Sequence, residues 1–254
     1  MLAAERRQRL IELARQRPAL KVTDLVREFG ITPNTARADL RALEGEGVVR
    51  CTHGGAVPVR ASVPAPPYSA IREEHMEAKT AIGRAAAALL PATGNVYLNA
   101  GSTSRAVALH LPAGCRLEFG TNSPEIALLL AEHTAAAVDL FGGRIERESR
   151  ETDGRLSLDP LRNLFWDTCM LSVFAVDAEH GISSINPGIA QMEGDVLARS
   201  RRRIILCDSS KFGTFGRARV AELATAQVIV SDTGLSRDWR RRIQALNIEL
   251  VLAE

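Results

Sequence analysis

ITPNTARADLRALEGEG, residues 31–47, is the stretch on which the reading of the fold turns. Thr32 can cap a helix by accepting a hydrogen bond from a first-turn backbone N–H. Pro33 suits the first helical position, where its fixed φ helps and its missing N–H costs nothing. Ala36, Leu40 and Leu43 recur at i, i+4 and i+7 and predict a buried stripe; Asn34, Arg37, Ala38 and Arg41 recur on another face and predict a solvent-facing one. Such a helix packs with one side and offers amide and guanidinium donors with the other.

Upstream, VTDLVREFG (22–30) predicts a short helix with Thr23 as its cap, Leu25, Val26 and Phe29 as its buried stripe, and Gly30 as its end. Segment 4–16, AERRQRLIELARQ, predicts another, with Leu10, Leu13 and Ala14 inward, Arg6, Arg9 and Glu12 outward, and Pro18 terminating it. Two short helices joined by a turn containing glycine fit a helix-turn-helix. The major groove admits one helix, and polar side chains near its N-terminus reach base edges. Downstream, VVRCTHGGAV (48–57) reads as a strand and a Gly-Gly turn, the wing of a winged helix. Thr32, Asn34, Thr35, Arg37 and Arg41 are the candidate DNA contacts on the helix, with Arg50 and His53 on the wing. A three-helix module that binds another protein shares this pattern; salt separates the two, because phosphate neutralisation gives a steep salt dependence.

Charge agrees with a nucleic-acid partner for the head. The 254-residue chain has 32 Lys+Arg and 30 Asp+Glu; residues 1–60 hold 11 and 7 of these, leaving 21 and 23 for the rest. A basic head thus precedes a slightly acidic body. The longest apolar runs, such as 85–90, are far short of the ~20 residues of a membrane span. Residues 1–10 lack the apolar segment of a secretory signal. Cys51, Cys115, Cys169 and Cys207 are scattered, with no CxxC and no ligand-spaced His. These features predict a cytoplasmic protein with reduced thiols, no metal and no membrane partner.

Pro58, Pro64, Pro66 and Pro67 make residues 58–70 a semi-rigid spacer. The domains expected are therefore 1–57, a winged helix-turn-helix; 58–70, the linker; and 71–254, an α/β sensing domain. In the last, helix 71–90 precedes strand 95–100, helix 103–111, strand 116–120, helix 123–132 and strand 137–141. An apolar run at 169–177, a helix near 189–199, strands 203–208 and 226–232, helix 236–245 and strand 247–252 follow. Alternating strands and helices predict a mostly parallel sheet covered on both faces, with ligands beyond the carboxyl ends of its strands.

The polar residues just after the strands are the candidate effector site: Asn99, Gly101, Ser102, Thr103 and Ser104; Thr121 and Asn122; Gly142 and Gly143; Asp177 with His180; and Asp208 with Lys211. Backbone N–H groups at a helix start near 103 suit a phosphate. Lys211 adds charge, and Asn99, Asn122 and Asp208 can bond sugar hydroxyls. Arg199, Arg201, Arg202 and Arg203 read as a solvated helix end.

The stretch TPNTARADLRALEGEGVVRCTHGGA resembles the helix-turn-helix of the DeoR family of bacterial regulators, matching at Thr35, Arg37, Asp39, Leu40, Leu43, Glu44, Gly47, Arg50, His53, Gly54, Gly55 and Ala56. It departs at Ala36, usually Ile, and at Ala38, usually a second Arg. NAGST (99–103), TN (121–122), GG (142–143) and DSSKFG (208–213) resemble the family's sensor domain, with Asn99 in place of Asp. The resemblance implies a fold like that of ribose-5-phosphate isomerase and CoA-transferases. It also implies a repressor of a carbohydrate or polyol catabolic operon. Such a repressor binds a double-stranded operator as a homodimer or homotetramer and is relieved by a phosphorylated sugar or polyol, without cofactor or catalytic residues.

The alternative is a sugar-phosphate isomerase or deaminase with an appended DNA-binding head. Aldose–ketose chemistry needs a base near the substrate carbon. Asn99 cannot accept a proton, which leaves Asp177, Asp208 and Glu193 as candidates.

Overall fold

The computed structural model describes residues 3–17, 19–46, 48–58, 74–147, 149–153 and 159–254. Pro18, Gly47, residues 71–73 and all of the expected spacer except Pro58 lie outside the described residues.

The head contains α1 (Ala3–Gln16), β1 (Leu20–Lys21), α2 (Val22–Phe29), α3 (Pro33–Gly45), β2 (Val49–Thr52) and β3 (Gly55–Pro58). Thr32 caps α3 as its sequence position predicts, its Oγ1 accepting from Thr35 N at 3.2 Å. Gly30 closes α2 in the left-handed region at φ 62°. Ala36, Leu40 and Leu43 are buried with Leu10, Ala14, Leu20, Leu25 and Val49 in one apolar cluster. The wing forms as β2 and β3 pair antiparallel, and β1 joins β3.

Two expectations for the head are overturned. Thr23 does not cap α2: the cap is Lys21, which makes no side-chain bond. Lys21 pairs with Gly55 in the sheet, and Val22 N donates to Gly54 O, so the strand itself delivers the chain into the helix. Arg6 is not outward: it is 9% exposed because Asp39 of α3 holds it.

The body is built on seven parallel strands in the order β15 (Glu249–Ala253), β14 (Val228–Asp232), β12 (Ser200–Leu206), β9 (Trp166–Ser172), β4 (Asn95–Leu98), β5 (Glu118–Thr121) and β6 (Ala137–Leu140). Side chains alternate between two cores. Tyr97, Leu171, Ile205 and Ile229 pack against α7 (Pro187–Ala198) and α8 (Arg237–Ala245). Val96, Leu98, Met170, Ile204, Leu206 and Val230 pack on the other face with α4 (Met76–Ala87), α5 (Ser102–Leu109) and α6 (Pro124–His133). The expected α/β layering is therefore present. The chain lays down β4, β5 and β6 in one direction, then returns to add β9, β12, β14 and β15 on the far side of β4. The reversal lies between β4 and β9, where a crevice opens beyond the strand ends.

The apolar run at 169–177 is not one element. β9 ends at Ser172, and β10 (Ala175–Asp177) belongs to an antiparallel sheet with β11 (Gly181–Ser184) and β13 (Ala218–Ala221). The described part of the expected helix 71–90 is α4, three residues shorter at its C-terminus, and the 116–120 strand begins at Glu118. The arginine cluster is a solvated helix end only in part: Arg199 closes α7 and the Arg201 side chain is 87% exposed. Arg202 donates to Leu89 O and Arg203 to Thr225 O and Ser200 O, so these side chains tie loops to the sheet. A short ribbon, β7 (Arg144–Ile145) with β8 (Thr152–Asp153), completes the fold. Among the described residues no helix is long and apolar enough to cross a membrane.

Candidate functional site

Two sites follow from this scaffold. On the head, Asn34, Arg37 and Arg41 are exposed along α3, and Arg50 and His53 are exposed on the wing. Arg37 Nη1 donates to Asn34 Oδ1 at 3.3 Å, which holds both groups at the start of the helix. Thr32 is exposed and Thr35 half-buried, their hydroxyls 2.9 Å apart. Glu44 Oε1 accepts from Cys51 N at 2.6 Å and fixes the wing to the end of α3. The polar face and the wing are thus presented by one small rigid unit.

On the body, a cavity of about 130 Å³ lies at the carboxyl ends of β4, β9 and β12. Ligand sites for drug-sized molecules start near roughly 300 Å³, so this one suits a small molecule. Gly101, Ser102, Thr103, Asp208 and Lys211 line it, as their positions after the strands predict. Gly101 precedes α5 at φ 137°, and a Cβ there would sit 2.9 Å from Ser172 Oγ, so only glycine fits. No side chain caps α5, which leaves the first-turn N–H groups for an anion.

The remaining candidates are placed elsewhere. Asn99 does not reach the cavity. Its Nδ2 donates to Ser172 O at 2.9 Å and Glu193 Oε1 at 2.7 Å, and its Oδ1 accepts from Ser104 Oγ and Ser172 N, each at 2.8 Å. Every polar valence of its amide is used to join four elements. Ser104 is buried by the same bond. Asn122 is also buried: its Oδ1 accepts from Ala100 N, and its Nδ2 donates to Glu151 Oε2 at 3.1 Å. Thr121 Oγ1 accepts from Ser123 N. Gly142 and Gly143 are exposed and outside the cavity wall. Asp177 ends an antiparallel strand and accepts from the backbone and ring of His180, whose ring stacks on Phe215 at 4.1 Å.

Lys79, Glu151 and Glu193 also line the cavity. Lys79 and Glu193 had a readable signal. Lys79 occupies the buried stripe of α4 with Ile82, Gly83 and Ala86, and Glu193 that of α7 with Ile189, Val196 and Leu197. A charge on an apolar stripe departs from amphipathic patterning. Burial lifts the Glu193 carboxyl to about 8, with the nearby Glu151 adding to the shift and Asn99 opposing it. Burial likewise lifts Glu151 to about 7. Burial lowers Lys79, against the pull of Asp208. Gly194 and Asp195, beside Glu193, are structural. A Cβ on Gly194 would lie 3.0 Å from Val220 O, and Asp195 pairs with Arg162 and Arg199.

A winged head and an α/β body with a cavity at a switch point have the parts of a DNA-binding regulator. Residues 6–61 match the DeoR-like helix-turn-helix domain, and residues 74–233 match the DeoR C terminal sensor domain. The chain belongs to the DeoR family of DNA-binding transcriptional regulators. It is similar to the HTH-type transcriptional regulator GlpR of Haloferax volcanii, 30% identical over 99% of this chain and 98% of that protein. It is also similar to the transcriptional repressor AccR of Agrobacterium fabrum, 30% identical over 91% and 90%. Among solved structures, the full-length sorbitol operon regulator SorC of Klebsiella pneumoniae aligns over 89% of this chain and 94% of that one, with 13% identity and a TM-score of 0.42.

Proposed function

We propose that the chain is a repressor of a carbohydrate or polyol catabolic operon, relieved when a phosphorylated sugar or polyol occupies the cavity between β4 and β9. The observation that carries this reading is the meeting of Lys211, Lys79 and the uncapped first turn of α5 in one small cavity. A phosphate on Gly101–Thr103 gains the helix dipole and two ammonium groups while its carbon end points toward α7. AccR, one of the relatives, carries the name of a repressor. In this reading residues 1–57 read the operator, 58–70 connect, and 71–254 sense the effector and assemble the homodimer or homotetramer that a paired half-site requires. The protein works in the cytoplasm and without catalysis. Thr32, Asn34, Thr35, Arg37, Arg41, Arg50 and His53 serve the DNA.

A gel-shift titration with the DNA upstream of the chain's own operon tests this. The expected result is a shifted complex that weakens with salt and dissociates on addition of a sugar phosphate. Sequence-independent binding alone, or a complex indifferent to every phosphorylated sugar and polyol, overturns it.

A further inference from the structure

A plain phosphate ester does not account for every titratable group lining the cavity. Among the described residues its wall carries two lysines, Lys79 and Lys211, against three carboxyl groups, Asp208, Glu151 and Glu193. A phosphate dianion adds two negative charges and matches the lysines alone. Asp208 keeps local partners: it caps the turn at Ser209–Lys211, accepting from Ser210 N. Glu151 and Glu193 do not face a cation. Their side-chain partners are neutral groups, among them the amides of Asn122 and Asn99, and among the described residues neither makes an ion pair. Glu193 is buried and Glu151 half-buried, and Glu151 disfavours the ionised form of Glu193. They stand on α7 and on the segment before β8, whereas the phosphate cradle stands on α5.

Two carboxyl groups that hold their protons in the empty cavity ionise when a ligand brings a cation between them. Resting on the phosphorylated-effector reading above, we infer that the effector is a phosphate ester that also bears a primary ammonium, as amino-sugar phosphates do, with the ammonium between Glu193 and Glu151. Asn99 supports this assignment. Its amide donates to Glu193 Oε1 at 2.7 Å and so orients the carboxyl without neutralising it. The ammonium offers three donors to acceptors already held in place. A hydroxyl in its place supplies one donor and no charge.

Calorimetric titration of the full chain with matched pairs tests this: glucosamine 6-phosphate against glucose 6-phosphate, and galactosamine 6-phosphate against galactose 6-phosphate. The expected result is that in at least one pair the amino member binds about tenfold or more tightly, the margin of a charge-assisted hydrogen bond over a neutral one. E193Q should erase that margin, and E151Q, a second variant should the first fold poorly, should reduce it. If the hydroxyl member of every pair binds as tightly as its amino partner, the ammonium inference fails while the phosphorylated-effector reading stands. If no sugar phosphate or polyol phosphate binds, that reading fails and the inference falls with it. An amino preference unchanged in both variants also overturns the placement at Glu193 and Glu151.

Discussion

Arg6 and Asp39 lie 33 positions apart in sequence and meet inside the head. Arg6 Nε donates to Asp39 Oδ2 at 2.6 Å and Nη2 to Oδ1 at 3.3 Å, with the two residues 9% and 3% exposed. The pair fastens α1 to the back of the helix whose front carries Asn34, Arg37 and Arg41. Arg7 Nε stands 3.5 Å from the same carboxylate, so Asp39 anchors two guanidinium groups.

Removing one partner of a buried pair leaves an uncompensated charge and costs about 3–5 kcal/mol. Asp39→Ala should be the more severe change, because it strands both arginines. Arg6→Ala leaves Arg7 as a substitute and should cost less. Thermal unfolding of the chain checks the order. Both variants should lose DNA affinity on every sequence alike, since neither side chain faces the groove. Equal melting of Arg6→Ala and Asp39→Ala would show that Arg7 contributes nothing.

Arg37 and Arg41 should separate base reading from phosphate contact. Arg37 sits in the first turns of α3 beside Asn34, where the proposed docking puts base contacts; Arg41 lies one turn further on. Arg37→Ala should cost about 1–3 kcal/mol of specific binding and relax preference at one base pair. Arg41→Ala should weaken all sequences and lower the slope of log affinity against log salt by about one phosphate's share. Gel shifts on the operator and on scrambled DNA, each at several salt concentrations, distinguish the two. A salt slope unchanged by Arg41→Ala places that side chain away from the backbone.

Local signals made the head legible. Thr32, Pro33, Gly30 and the stripe Ala36, Leu40, Leu43 each act within one helical turn, and each did what its chemistry predicts. Thr23 misled because a strand, formed with residues more than thirty positions away, supplied the helix start instead. The body's layering was legible from alternation, but the order of its strands was not. Asn99 and Asn122 read as ligand groups because short polar side chains after strands often are. Their amides were instead consumed by Ser172, Ser104, Glu193, Ala100 and Glu151, partners that only tertiary pairing reveals. Glu151 had no sequence signal at all: it reaches the cavity through the β7–β8 ribbon, which no periodicity announced.

Lys211 separates effector response from DNA reading. Its Nζ lies 6.0 Å from the centre of the Phe174 ring, and it lines the cavity wall. Lys211→Ala should still shift operator DNA but should need about tenfold more sugar phosphate for release, the worth of one charge-assisted contact. Titrating the effector into a preformed complex measures this. Normal release by the variant would move the phosphate away from Lys211.

Glu193 should make stability depend on pH. Its folded carboxyl is lifted to about 8 by burial first and by Glu151 second, above the ordinary carboxylate value. Tyr97 and Glu151 are its charged or titratable neighbours, and Lys79, Asp208 and Lys211 share the same cavity. A raised carboxyl means that the folded chain holds a proton the unfolded chain has released. Stability contributed by this group is therefore full below about pH 4.5 and is lost as pH rises toward 8. Glu151 acts in the same direction up to about 7. Wild-type protein should unfold more readily at pH 8 than at pH 5.5. Glu193→Gln, which keeps an acceptor for Asn99 and cannot ionise, should recover about 1–3 kcal/mol at the higher pH and flatten the profile. Melting temperatures of the two proteins across this range decide the matter. Parallel profiles would mean that Glu193 is already ionised in the empty cavity.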